Sequence, residues 1–146
     1  MPLHEKIQEM YNRVKYHLLT QNEKAEKTTG VLFEPNNVCQ YKTPNGLKCA
    51  IGALIPDSKY TPVMESLGGL RANDLVKSVL LDEFGINNYE QSEIRDLMES
   101  ASLLQSIHDK HNCEEWLGKL SDFAQKHRLT DTPMEELENL YGSDSR

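Results

Sequence analysis

The sequence has no long apolar run. Its longest, Ala50-Ile51-Gly52-Ala53-Leu54-Ile55, falls far short of the roughly 20 residues that cross a bilayer, so no membrane-spanning helix is expected. The opening residues Met1-Pro2-Leu3-His4-Glu5-Lys6 lack the basic segment leading into an apolar stretch that marks a secretory signal, and the expected location is the cytoplasm. Cysteine is scarce. Cys39, Cys49 and Cys113 cannot all pair within one chain, and a reducing compartment keeps such residues as thiols. Positive charge is also in short supply, with a net charge of −7. Residues 1–48 hold seven Lys/Arg against five Asp/Glu, whereas residues 82–146 hold six against fifteen. An acidic surface repels phosphate backbones, which bind where a basic groove releases their counterions. General nucleic-acid binding is therefore not expected, although a local pocket for a small anion near Lys42 and Lys48 is compatible with this charge pattern. Internal repeats and low-complexity tracts are absent.

What is present fits one globular domain. A chain of 146 residues with 38% hydrophobic and 27% charged content is long enough to bury a core without disulfides or metals. Leu3, Ile7, Met10, Val14 and Leu18 recur at steps of three and four, which places them on one face of an opening helix. The polar stretch 21–30 reads as the end of that helix and a solvated loop. Pro44, Asn45 and Gly46 suit successive positions of a turn closing a bulged hairpin. A helix carrying Leu75, Val76, Val79, Leu80 and Phe84 should stop at Gly85. Ile94, Leu97, Ala101, Leu104, His108 and His111 form the stripe of a further helix. Trp116, Leu117, Leu120, Phe123 and Ala124 mark the next. Thr132-Pro133-Met134-Glu135 reads as a capping box opening the last. The expected fold is mainly α: a compact domain of about five to six helices over residues 1–141, one small β-hairpin near residues 38–49, and a frayed tail at 142–146.

The densest segment runs from Cys39 to Tyr60. It contains Tyr41-Lys42, the turn glycine Gly46, Lys48-Cys49-Ala50-Ile51-Gly52, Leu54-Ile55-Pro56-Asp57 and Tyr60. These residues resemble the signature of a family of small uncharacterised proteins found in phages and bacterial genomes. Leu104-Gln105 followed by His108-Asp109 resembles that family's second signature. The resemblance covers most of residues 1–130 and implies a phage or prophage context; it implies no reaction. Physically, Ala50, Gly52 and Ala53 keep one wall thin enough for another backbone or a ligand to approach, and tight packing of a short helix on the hairpin is the simplest use of them.

Three functional readings follow from the residues. In the first, Tyr41, Lys42, Lys48, Cys49, Tyr60 and His108 line a pocket, the aromatics giving flat contact area and the lysines neutralising an anion. The protein is then a phage-type accessory module that binds a host protein or a small anionic molecule such as a nucleotide. A second reading is a thiol enzyme, with Cys49 activated at a helix start and His108 as its base. Asp109 adjoins His108 and should point about 100° away around the helix axis, which makes it a poor orienting partner. The third is a zinc-binding structural module drawn from Cys39, Cys49, His108, His111 and Cys113. No cofactor is needed by the first reading, and none of the three fixes the oligomeric state.

Overall fold

The structure, a computed structural model, describes residues 3–29, 36–67, 70, 73–86 and 89–142; for residues 27–29 and 36–39 the description is confined to the backbone. The chain is mainly helical. Five α-helices are present among the described residues: α1 (Leu3–Gln21), α2 (Asp74–Phe84), α3 (Gln91–Lys110), α4 (Cys113–Lys126) and α5 (Met134–Tyr141). The 3₁₀ turns Gly52–Leu54 and Pro62–Ser66 lie between α1 and α2. No helix among the described residues is long and apolar enough to cross a membrane.

The opening stripe packs as its spacing requires. Met10, Val14 and Leu18 are fully buried, with Leu3 and Ile7 partly buried against the same core. Each such side chain contributes roughly 1.5–3 kcal/mol on burial, which sets the face α1 presents. This helix is the hub of the fold, packing on α3, α4, α5 and the Gly52–Leu54 turn. It ends where Asn22 takes a left-handed conformation at φ 49°, one of the few residues besides glycine that does so readily.

A two-stranded ladder follows, but not where sequence spacing put it. Strand β1 (Glu26–Thr29) pairs antiparallel with β2 (Asn36–Cys39), Glu26 opposite Cys39 and Thr29 opposite Asn36. The stretch read as a solvated loop is thus partly strand, its β-branched Thr28-Thr29 fitting a ladder better than a helix. The expected hairpin near residues 38–49 does not form as a pair of strands: a single isolated bridge joins Lys42 to Lys48. Its turn is as anticipated. Gly46 sits at φ 90°, and its amide bonds the Thr43 carbonyl at 2.9 Å. The pairing goes no further because the Tyr41 amide is taken by Glu65 and the Cys49 carbonyl by the Ala53 amide.

Helix α2 carries the Gly85 stop at φ 64° and an Asn73 N-cap that accepts the Val76 amide. Val76, Leu80 and Phe84 reach the core, and the Arg13 guanidinium lies 5.4 Å from the Phe84 ring. The α2 backbone otherwise stands off, with no extended approach to another helix. In α3, Leu97, Ala101, Leu104 and His108 are buried on one stripe. His111 falls just past it, in extended conformation at the C-cap, so it does not share the helix face assigned to it. The capping box at Thr132 is also not formed. The Thr132 hydroxyl donates to Asn12 at 2.9 Å instead, and α5 starts without a side-chain cap. Capping boxes occur at Glu90/Glu93 of α3 and Asn112/Glu115 of α4. Gly142 closes α5, while residues 143–146 of the expected tail lie outside the described residues.

One polar cluster ties α1 to the segment joining α4 and α5. The Lys15 ammonium is almost fully buried and donates at 2.7 Å to both the Asp131 carboxylate and the Thr132 carbonyl. The Tyr11 hydroxyl lies 2.7 Å from Asp131 and 2.9 Å from the Leu120 carbonyl. Partial burial alone would raise the Asp131 carboxyl, but hydrogen bonds from Lys15, Tyr11 and Ser121 hold it below the usual carboxylate range.

Candidate functional site

The Cys39–Tyr60 segment is held in place by two helices. From α1, His17 Nε2 and Gln21 Nε2 each lie 2.9 Å from the Lys48 carbonyl, and Gln21 Oε1 accepts the Lys48 amide at 2.9 Å. From α3, Gln105 Oε1 accepts the Ile51 amide at 2.9 Å. These bonds use the outward-facing groups of Lys48 and so add to the Lys42–Lys48 bridge, which is flanked by the Thr43 amide on the Leu47 carbonyl and the Cys49 amide on the Tyr41 carbonyl. The small residues have the packing role expected of them. A Cβ on Gly52 would stand 1.8 Å from the Tyr41 carbonyl oxygen, closer than any non-bonded contact tolerates, so only glycine fits.

Tyr41, Lys42, Lys48 and Tyr60 do come together, around anions that the chain itself supplies. Glu65, in the Pro62–Ser66 turn, accepts the backbone amides of Tyr41 and Lys42, each at 3.0 Å, and the Tyr60 hydroxyl at 2.6 Å. Two consecutive amides facing one carboxylate make an anion-binding nest. Asp57 then takes both lysines, 2.8 Å from Lys48 Nζ and 3.3 Å from Lys42 Nζ. Hydrogen bonds from Lys48 and Lys42 hold its carboxyl below the usual range. Lys42 Nζ also lies 5.6 Å from the Tyr60 ring centre. The Tyr41 side chain is buried, its phenol pushed up to about 12 by burial, with the Asn73 amide 3.5 Å from its oxygen.

Cys49 and His108 sit deeper and are occupied. Cys49 is 1% exposed, its Sγ accepts the Gly52 amide at 3.3 Å, and burial pushes the thiol up to about 12. The expected activation at a helix start is overturned by that burial; the three-residue 3₁₀ turn that follows offers little dipole to oppose it. His108 is fully buried against Trp116, ring centres 5.5 Å apart. Its Nε2 accepts the Ala25 amide at 3.0 Å, which leaves the proton on Nδ1, 2.8 Å from Asp109 Oδ1. Asp109 therefore does orient this imidazole, against the expectation from helix geometry. Its carboxylate curls back along its own turn and is steadied by Gln105 Nε2 at 2.7 Å. The arrangement has the look of a catalytic pair but aims at a backbone amide.

Neither His108 nitrogen is free to hold a metal ion. His111 Nδ1 lies 3.8 Å from Glu115, Cys113 is half-buried at the start of α4, and Cys39 lies in β2 with its side chain outside the description. Among the described residues no three His, Cys, Asp or Glu side chains are grouped to hold a metal.

Sequence reasoning missed a cleft of about 530 Å³ between α2 and α3. Leu70, Leu81, Ile94 and Met98 form its apolar lining, and Lys77, Arg95, Glu99, Gln91 and Ser102 its polar edge. The signal was legible as a second stripe on α3, in which Gln91, Ile94, Arg95, Met98, Glu99 and Ser102 recur at helical steps. It was masked by the stronger stripe beside it. Leu70, separated from α2 by the Asn73 cap, carries no periodic signal at all.

No protein-family model matches the chain, and no curated protein or solved structure is significantly similar to it. The likeness of the two motifs to the phage-associated family rests on their residues alone.

Proposed function

We propose that the protein is a binding module, not an enzyme, and that it takes a small anionic molecule in the α2–α3 cleft. The observation that carries this reading is the cleft itself. Its volume falls within the roughly 300–1,000 Å³ of small-molecule sites, and its apolar lining with a few polar groups is the usual make-up of one. Lys77 and Arg95 border it, and neither side chain has a hydrogen-bond or ion-pair partner among the described residues. Lys42 and Lys48, by contrast, already face Asp57. Cys49 and His108 are committed to backbone amides, which argues for binding over thiol chemistry. An accessory module of this kind suits the phage context to which the two motifs point.

The test is methyl-resolved NMR of Ile-, Leu- and Met-labelled protein titrated with a panel of small organic anions. Expected are shifts at Ile94, Met98 and Leu81, lost in Met98→Trp, which fills the cleft. A second reading keeps the anion at Lys42 and Lys48. It is favoured by the 69% exposure of Asp57, since ion pairs on an exposed carboxylate are worth about 0–1 kcal/mol and an incoming anion can displace one. Shifts confined to Leu47 and Ile51, abolished by Lys48→Ala, would select that reading over the cleft.

A further inference from the structure

We infer that His108 is an acid-released latch on the entry to the two-stranded ladder: neutral, it holds the Ala25 amide, and doubly protonated it lets that amide go. The two bonds of the ring fix where its one proton sits. A backbone amide only donates, so Nε2, 3.0 Å from the Ala25 nitrogen, is an acceptor. An ionised carboxylate only accepts, so Nδ1, 2.8 Å from Asp109 Oδ1, carries the hydrogen. A second proton has only Nε2 to go to, and it turns that atom from acceptor to donor. Two N–H groups then face each other beside a fully buried ring, which loses the hydrogen bond and leaves both donors without water.

Which side yields follows from what surrounds the ring. On α3 the imidazolium gains, because Asp109 becomes a charge-assisted partner and is itself steadied by Gln105. The amide only loses. Ala25 is also where the ladder begins: its carbonyl accepts the Gln40 amide at 2.7 Å, and its neighbour Glu26 pairs with Cys39. A two-stranded ladder this short is weak by itself, so its first residue opens at less cost than a turn of α3. Among the described residues, α1 brings His17, which feels the charge of His108, and the chain before β1 brings Lys24, its Nζ 3.4 Å from the Asp109 carbonyl. Both add positive charge to a place that has just gained one, and Lys24 adjoins the residue released. Helix α4 contributes the uncharged Trp116 ring and, beside Lys24, Cys113, whose thiol burial raises. Cys49 and Tyr41, which feel Asp109, are each pushed up to about 12 by burial and stay neutral in acid. Since the latch opens locally, His108 takes its proton without unfolding the helices.

Nitrogen-15 NMR of the native protein between pH 8 and pH 5 tests the latch. The ring nitrogens of His108 report its second proton, and amide exchange, expressed as protection factors to remove the intrinsic effect of pH, reports the bond. Protection of Ala25 is expected to fall about tenfold or more as the ring titrates, the loss of one buried hydrogen bond. Gln40 should follow it, while Leu104 of α3 and Leu120 of α4 keep their protection. His108→Gln, whose side-chain carbonyl accepts an amide and takes no proton, should remove the pH dependence at Ala25. Constant protection of Ala25 while the ring takes its second proton would overturn the latch. A ring that stays neutral until the amides of α3 and α4 also exchange would overturn it too, as would acid release of Ala25 in His108→Gln, which assigns the effect to another group.

Discussion

The phenol of Tyr60 donates a 2.6 Å hydrogen bond to the carboxylate of Glu65. The same carboxylate gathers the amides of Tyr41 and Lys42, so one side chain answers three donors from two separate segments. Glu65→Ala strands two backbone amides, each costing about 1–3 kcal/mol when left unpaired. A loss of about 3 kcal/mol is expected, and at roughly 2–4 °C per kcal/mol for a chain of this size calorimetry should show a midpoint lower by about 6–12 °C. Glu65→Gln, which keeps one acceptor oxygen, should lose less than half as much. Equal stability of Glu65→Ala and the native protein would refute the nest.

Two glycines should answer oppositely to alanine. At Gly52 the new Cβ meets the Tyr41 carbonyl at 1.8 Å, backbone against backbone with no flexible end to yield. Gly52→Ala should lose about 4 kcal/mol or more. Gly118, in the interior of α4, has nothing within 4 Å of the added carbon, and Gly118→Ala should gain about 0.5–1 kcal/mol through helix propensity and a less free unfolded chain. Urea unfolding of the pair provides an internal control.

Alkylation should discriminate between the cysteines. With Cys49 1% exposed and its thiol pushed up to about 12, a native sample at pH 8 presents almost no Cys49 thiolate. Iodoacetamide followed by peptide mass mapping should label Cys113 in the folded protein and Cys49 only after urea is added. Rapid native labelling of Cys49 would restore the thiol reading.

Acid should weaken the fold before the carboxylates titrate. Burial holds His17 below the ordinary histidine value of 6.5, against the opposing hydrogen bond to the Lys48 carbonyl. Burial likewise lowers His127, which stacks on Phe123 at 4.1 Å. Below 6.5 the unfolded chain takes up protons at these sites that the folded chain refuses, so stability falls as pH drops from that value toward the folded pKa values. Urea midpoints at pH 8, 7, 6 and 5 should decline over the last two steps. His17→Gln should flatten the decline in part, with His127 supplying the remainder. An unchanged slope in His17→Gln would show that its burial is not linked to folding.

Helices were readable in the sequence where one face outweighs the rest. Met10, Val14 and Leu18 announce α1, and Gly85 its own stop in α2, because both depend on local spacing and backbone freedom. The turn at Gly46 was legible for the same reason. What the spacing could not show is competition for backbone groups over long separations. Tyr41 gives its amide to Glu65 in place of a longer ladder, and Thr132 gives its hydroxyl to Asn12 in place of the α5 cap. Lys42, Lys48 and Tyr60 were expected to share a surface, and their side chains lie side by side. Nothing in residue types, however, says that Glu65 and Asp57 reach it first. His108 and Asp109 were expected to miss each other because the angle between Cα–Cβ directions says nothing of where a flexible carboxylate ends.

The buried Lys15 waits for a partner that follows 116 residues later. During synthesis, a growing chain exposes the apolar stripe and ammonium of α1 long before Asp131 has left the ribosome. Closing so distant a contact is slow compared with helix formation. Completion of this fold is therefore expected to wait for the segment before α5, with α1 exposed to chaperones until that segment emerges and neutralises the lysine.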